Sequence, residues 1–234
     1  MLGVSPPPDG LERWTSRLRV KREIAMKKVQ IPISDEVVRS LEVGDPIALS
    51  GVMVTARDAA HKWLMDTFIT HKREPQGDDL EVYEALKKLL NGGVIYHCGP
   101  VVTRSEDGEY HFVAAGPTTS IREEPYQGDI MRHFNVKGVI GKGGMGAKTL
   151  QACQDVPGLY LHAVGGAASW IAQTVKRVLG VYKLEFGVPE AFWVIEVEDF
   201  PVVVTMDANG NSLHAEIEAR SAKVLEDLLT GEKS

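Results

Sequence analysis

The chain has 234 residues, 44% of them hydrophobic and 25% charged, with a net charge of -6 at pH 7. That length buries a core without metal or disulfide staples, and the charge balance excludes a basic surface for polyanions, so no nucleic-acid partner is expected. No apolar run reaches the roughly 20 residues that span a bilayer, and the N-terminus lacks the apolar stretch of a secretory signal; a cytoplasmic protein without membrane contact is expected.

Residues 1–25, with "SPPPDG" and "RWTSRLRVKRE", carry prolines and basic residues but no sustained apolar periodicity, and read as a loose extension. Met26 is an alternative start, and the globular domain is expected over 26–234, beginning with the strand-like "KKVQIPI". A strand near 47–56 follows, then a helix over 58–71 and a second over 80–90 whose Val82, Leu86, Leu89 and Leu90 share a face. Strands are expected at 94–98 and 109–115, a helix at 128–134, a strand at 137–140, a helix at 144–154 and a strand at 159–163. Ala167, Ile171, Val175, Val178 and Leu179 form the apolar stripe of a helix over 167–179. "FWVIEV" and "PVVVTMD" read as two paired strands, and 212–229 as a closing helix. The pattern is α/β with some antiparallel pairing.

"IGKGGMGAKT" (140–149) opens a helix and imitates two nucleotide motifs. Gly141, Gly143 and Gly146 satisfy the dinucleotide spacing, but no acid lies about 20 residues on to hold a ribose. A phosphate loop needs glycine directly before its lysine, and Ala147 stands there before Lys148. What remains is a glycine turn running into a helix, which attracts an anion, a carboxylate included. Lys142, between two glycines, can project beside it.

"AAGPTTSIRE" (114–123) sets Thr118, Thr119 and Arg122 after a strand, where α/β sheets form clefts. Arg122 offers a bidentate fork for a carboxylate; the bland alternative is a capping box of Ser120 with Glu123. "TARDAAHKW" (55–63) puts Arg57 and His61 on one helical face, a cation beside an imidazole that titrates near neutrality. The alternative is a surface pair in which Asp58 caps the helix and bonds Arg57 or Lys62. In "GGVIYHCGP", His97 and Cys98 point to opposite faces of a strand, which argues against a metal pair, and His162 reads as a core histidine. Cys98 and Cys153 form no paired motif and read as buried, reduced thiols; an iron–sulfur cluster takes three or four thiolates, which this chain cannot supply.

"TARDAAH", "YHCGP", "GPTTSIR" and "GKGGMG", in this order over residues 27–228, resemble the β subunit of two-subunit class I fumarate hydratases and L(+)-tartrate dehydratases, and the C-terminal domain of single-chain class I fumarases. The resemblance implies a swivelling β/β/α domain with mixed sheets and flanking helices. It implies a hydro-lyase site shared with an α subunit in an α2β2-type hetero-oligomer, that subunit holding a [4Fe–4S] cluster whose open iron acts as a Lewis acid. It implies Thr118 as the base at the carbon-bound proton, and Arg57, Thr119, Arg122 and Lys142 as contacts to the carboxylates of a small dicarboxylate substrate. His61 matches a histidine with a catalytic role in the tartrate branch, and is the better base by its ordinary pKa. Where many relatives carry methionine after the arginine, this chain has Glu123, a carboxylate that would temper Arg122. A nucleotide-binding module at 140–149 and a non-catalytic scaffold subunit are the readings outside this family.

Overall fold

The computed structural model describes residues 26–72 and 74–230; the expected extension over 1–25 lies outside them. Strand β1 (Lys27–Gln30) and short helix α1 (Asp35–Arg39) precede the ten-residue β2 (Pro46–Thr55). Helices α2 (Asp58–Leu64) and α3 (Asp78–Leu90) lead to β3 (Val94–Tyr96) and the hairpin of β4 (Val101–Arg104) and β5 (Tyr110–Ala114). Then come α4 (Glu124–Phe134), β6 (Gly138–Gly141), α5 (Ala147–Asp155), β7 (Leu159–His162) and α6 (Ala168–Ala172), followed by β8 (Val175–Tyr182), β9 (Phe192–Met206) and α7 (Leu213–Thr230).

The strands β1, β2, β3, β6 and β7 run parallel, and β9 runs antiparallel to β2, β7 and β8. Because β9 pairs with both β7 and β2, the sheet closes into a ring of β2, β3, β6, β7 and β9, with β1 and β8 as wings. One parity of the strands, including Leu49, Met53, Val94, Tyr96, Ile140, Leu161 and Trp193, packs into a single cluster within that ring. The other parity, including Val54, Ile95, Val139 and Tyr160, packs against apolar faces of α2 to α5. Burial on both faces is why "VIY", "GVI" and "LYL" read as continuous apolar runs instead of alternating ones. The result is mixed α/β with flanking helices, as the pattern of elements implied. Among the described residues no helix is long and apolar enough to cross a membrane.

The expected helix over 167–179 stops at Ala172, and Val175–Tyr182 forms β8 instead. Val175, Val178 and Val181 are stiff at χ1 and suit a pleated surface, and β9 offers them a full ladder of partners; the apparent stripe fails at Leu179, which is 47% exposed. "FWVIEV" and "PVVVTMD" do not pair with each other but form the single strand β9 of 15 residues. Between them Asp199 takes the left-handed conformation, beside the irregularity at Leu49–Gly51 in β2, so the strand bends without turning back. The helix after β2 is α-helical only to Leu64 and continues as a π-helical turn over Met65–Thr70. Helix α4 starts at Glu124, four residues early, because Pro125 sits in its first turn where no N–H is needed.

Gly51 carries the tightest part of the β1–β2 junction: its φ is +125°, and a Cβ there would stand 2.6 Å from the Ile31 carbonyl oxygen. Gly51→Ala is expected to lose about 1–3 kcal/mol of stability through strain at a glycine-only conformation. A urea unfolding midpoint equal to that of the unaltered chain would contradict this account of the bend.

Candidate active site

The parallel strands β2, β3 and β6 end at one edge of the ring, and the C-terminal edge of such strands is where α/β sheets form ligand sites. Arg57 follows β2, His97 follows β3 and Lys142 follows β6. The segment after β5 is laid across the ends of β3 and β6 by backbone hydrogen bonds. Thr118 N–H donates to the His97 carbonyl at 2.7 Å, Lys142 N–H to the Thr118 carbonyl at 3.2 Å, and Ser120 N–H to the Lys142 carbonyl at 3.0 Å. Bridges between Cys98 and Pro117 and between Thr119 and Lys142 extend the same lacing. Motifs far apart in sequence thus meet at one junction with Thr118 at its centre.

Two glycines admit side chains into that junction. A Cβ on Gly141 would lie 1.7 Å from Ser120 Oγ, and a Cβ on Gly99 would lie 2.5 Å from Arg57 Nη1. Gly141 is therefore required by Ser120, not by a phosphate. The anion at the start of α5 is also a protein group: Glu124 accepts from the amides of Gly146 and Lys148, both at 2.8 Å, from that of Thr149 at 3.3 Å, and from Thr149 Oγ1 at 2.7 Å. The expected attraction for an anion is real, but its occupant is Glu124. That corrects the reading of a ligand carboxylate on the helix start, and takes from a nucleotide's phosphates three of the amides they would need. Lys142 is the part of the loop that stays available; half-buried, with its stem near Gly165, it makes no salt bridge among the described residues.

Both arginines are held by acids. Arg57 Nε stands 3.3 Å from Glu190 Oε1 and, though buried, has no hydrogen-bond partner; Glu190 also caps α2 by accepting from Ala59 N–H at 3.0 Å. Arg122 pairs with Asp58. The helix cap is thus Glu190 and not Asp58, and Lys62 pairs with Asp66. Thr119 and Arg122 are exposed and Thr118 is half-buried, so these side chains form an open face. Ser120–Glu123 is a 3-10 turn with no side-chain cap, and Glu123 is buried, which removes the capping-box reading.

His61 is fully buried. Its Nδ1–H donates to the Arg57 carbonyl at 2.9 Å, and its Nε2 stands 2.9 Å from the Gln127 carboxamide, which also meets His97 Nε2 at 2.8 Å. Burial holds His61 below the ordinary histidine range, and burial followed by His61 itself takes His97 down to about 3. A neutral His61 that has spent its hydrogen on a carbonyl presents a lone pair at Nε2, so the carboxamide must turn its NH2, otherwise unpartnered, towards the two rings. Its two hydrogens then serve both rings, and His97 Nδ1–H donates to Ser120 Oγ at 2.9 Å. This network fixes Arg57 and Ser120 from beneath and puts both His61 nitrogens out of reach of a ligand. His97 and Cys98 do face different surroundings, and His162 lies partly exposed at the end of β7.

Glu190, Gln127 and Glu124 carry no signal in the sequence, which points to Glu123 only as a cap or a neighbour of Arg122. Glu190 and Gln127 act 131 and 66 residues from Ala59 and His61, and no local spacing announces such pairs.

A closed mixed ring with polar loops laced over the C-terminal ends of its parallel strands defines a mixed α/β domain. The sequence profile of the family described as Fumarase C-terminus matches residues 6–217, and the chain belongs to that family. It is 51% identical over 197 residues to a Geobacillus stearothermophilus protein named "Putative fumarate hydratase class I", a match over 84% of this chain and 35% of that protein. It is 36% identical over 193 residues to the L(+)-tartrate dehydratase subunit beta of Escherichia coli strain K12, over 82% of this chain and 88% of that subunit. The chain therefore spans about a third of the first relative and most of the second.

Glu124→Ala is expected to destabilise the chain by about 1–2 kcal/mol, the worth of a helix cap, and to speed amide exchange at Gly146, Lys148 and Thr149. Unchanged protection at those three amides would contradict the cap.

Proposed function

We propose that the chain is the β subunit of an iron–sulfur hydro-lyase that reversibly hydrates fumarate to (S)-malate, in the cytoplasm. The observation that supports this reading is that Arg57 and Lys142 follow the parallel strands β2 and β6, while the segment carrying Thr118, Thr119 and Arg122 is laced by its backbone to Lys142. Water adds hydroxyl to one alkene carbon and a proton to the other; in reverse, a proton leaves the carbon beside a carboxylate. Negative charge then builds on that carboxylate, where preorganised cations act most strongly. On this reading Arg57, Arg122, Lys142 and the Thr119 hydroxyl hold the two carboxylates, and the Thr118 hydroxyl exchanges the carbon-bound proton. A free hydroxyl is a weak base, so the neighbouring cations must favour its alkoxide. His61 is assigned a supporting part, since its nitrogens are committed to Arg57 and Gln127.

A cluster requires three or four thiolates. Cys98 and Cys153 sit fully buried in separate clusters, and burial pushes both thiols up to about 12, so this chain's residues do not fit one. The [4Fe–4S] cluster is accordingly assigned to an α subunit, on which this chain docks as a swivelling β/β/α domain in an α2β2-type assembly, inactive by itself. L(+)-tartrate dehydration is the second reading, favoured by the match in length to the Escherichia coli subunit.

Lys142→Met and Arg122→Leu, each assayed in the complex with the α subunit, are expected to lower kcat/KM for fumarate by about 100-fold, the scale of one preorganised transition-state donor. A change within about twofold, well under 1 kcal/mol, for either variant would overturn its assigned role.

A further inference from the structure

Beneath the two arginines lies a carboxyl that the proposed reaction does not use. Glu123 is fully buried and neither oxygen receives a hydrogen bond. The groups facing it come from three elements: Asp58 and His61 of α2, Glu190 from the loop before β9, and Arg122 of its own turn. Both cations already have partners, Arg122 in Asp58 and Arg57 in Glu190. His61 Nδ1 stands 3.6 Å from Glu123 Oε2, but its hydrogen serves the Arg57 carbonyl. Two guanidiniums balance Asp58 and Glu190, so an ionised Glu123 would be an uncompensated charge shut away from water. Asp58, which holds Arg122, is also the acid that acts most strongly on Glu123, and two acids share a hydrogen bond only with a proton between them.

We propose that Glu123 is a positioning residue which, carrying a proton, hydrogen-bonds Asp58 and so loosens Asp58's hold on Arg122, leaving that guanidinium free for a substrate carboxylate. The inference rests on the dicarboxylate reading above. A carboxylate that accepts from a neutral acid is a weaker partner for its guanidinium, and Lys142 remains an uncompensated positive charge for an arriving dianion. Burial first, and Asp58 next, push the Glu123 carboxyl up to about 8. Above that pH the added charge on Glu123 cancels the surplus positive charge of Lys142 and the dianion meets a weaker attracting field, so KM rises while kcat changes little.

The test has two arms. In the full chain alone, the infrared difference between the unaltered protein and Glu123→Gln should show the carbonyl stretch of a protonated, buried carboxyl at neutral pH, lost near pH 8; no such band at neutral pH overturns the proposal. In the complex, kcat/KM for fumarate should fall about tenfold per pH unit above the midpoint, as one linked proton requires, through KM. Glu123→Gln, which donates to Asp58 at every pH, should give a level profile, and Glu123→Met a level profile with raised KM. A Glu123→Gln profile that falls like the unaltered one overturns the proposal. A complex that hydrates nothing at any pH overturns the proposed activity, and the infrared arm then judges the proton by itself.

Discussion

Everything in the candidate site hangs on one backbone junction. Thr118 is held by His97 and holds Lys142, and Ser120 returns to the Lys142 carbonyl, so the loop after the β4–β5 hairpin is stitched to the ends of β3 and β6. These are ordinary amide–carbonyl bonds, each worth roughly 1 kcal/mol net. Their importance is geometric, because they fix the spacing of side chains contributed by three separate loops. The ring beneath supplies rigidity: five strands closed on themselves and filled from both sides leave little freedom at their ends.

The cations are positioned by their competitors. Arg57 leans on Glu190 and Arg122 on Asp58, and both contacts must loosen for a carboxylate ligand to replace the acid. Such pairing keeps the guanidiniums in place before a ligand arrives, which reduces reorganisation on binding. The same logic appears at α5, where Glu124 saturates the amides that a ligand could otherwise have used. The protein has therefore satisfied this anion site internally, and on the proposed reading specificity rests on side chains such as Lys142 and not on a helix terminus.

Most strands and helices were legible from periodicity, because most strands carried β-branched or aromatic residues and each long helix an apolar face; the short helix Asp35–Arg39 and strand β4 were too short to announce themselves. The failures have physical reasons. Val175 and Val178 fit a helical stripe and a strand equally well over so short a segment, and only the presence of β9 decides between them. The merger of "FWVIEV" and "PVVVTMD" depended on Asp199 accepting a left-handed conformation, which an aspartate tolerates better than most residues. Within the site, the residues that project from loops, Arg57, Thr118, Thr119, Arg122 and Lys142, stood out because their motifs are compact. Their partners did not: Glu190 and Gln127 gain meaning only when distant elements pack, and no spacing rule connects Gln127 to the two histidines it meets.

The central claim is that this chain presents one half of a catalytic face, with Arg57, Arg122 and Lys142 gathered around Thr118 and the rest supplied by a second chain. Its most direct test is fumarate hydration measured anaerobically for this chain alone, for the cluster-loaded α subunit alone, and for the two mixed. The account predicts turnover only in the mixture; turnover by this chain alone, or none by the mixture, would contradict it.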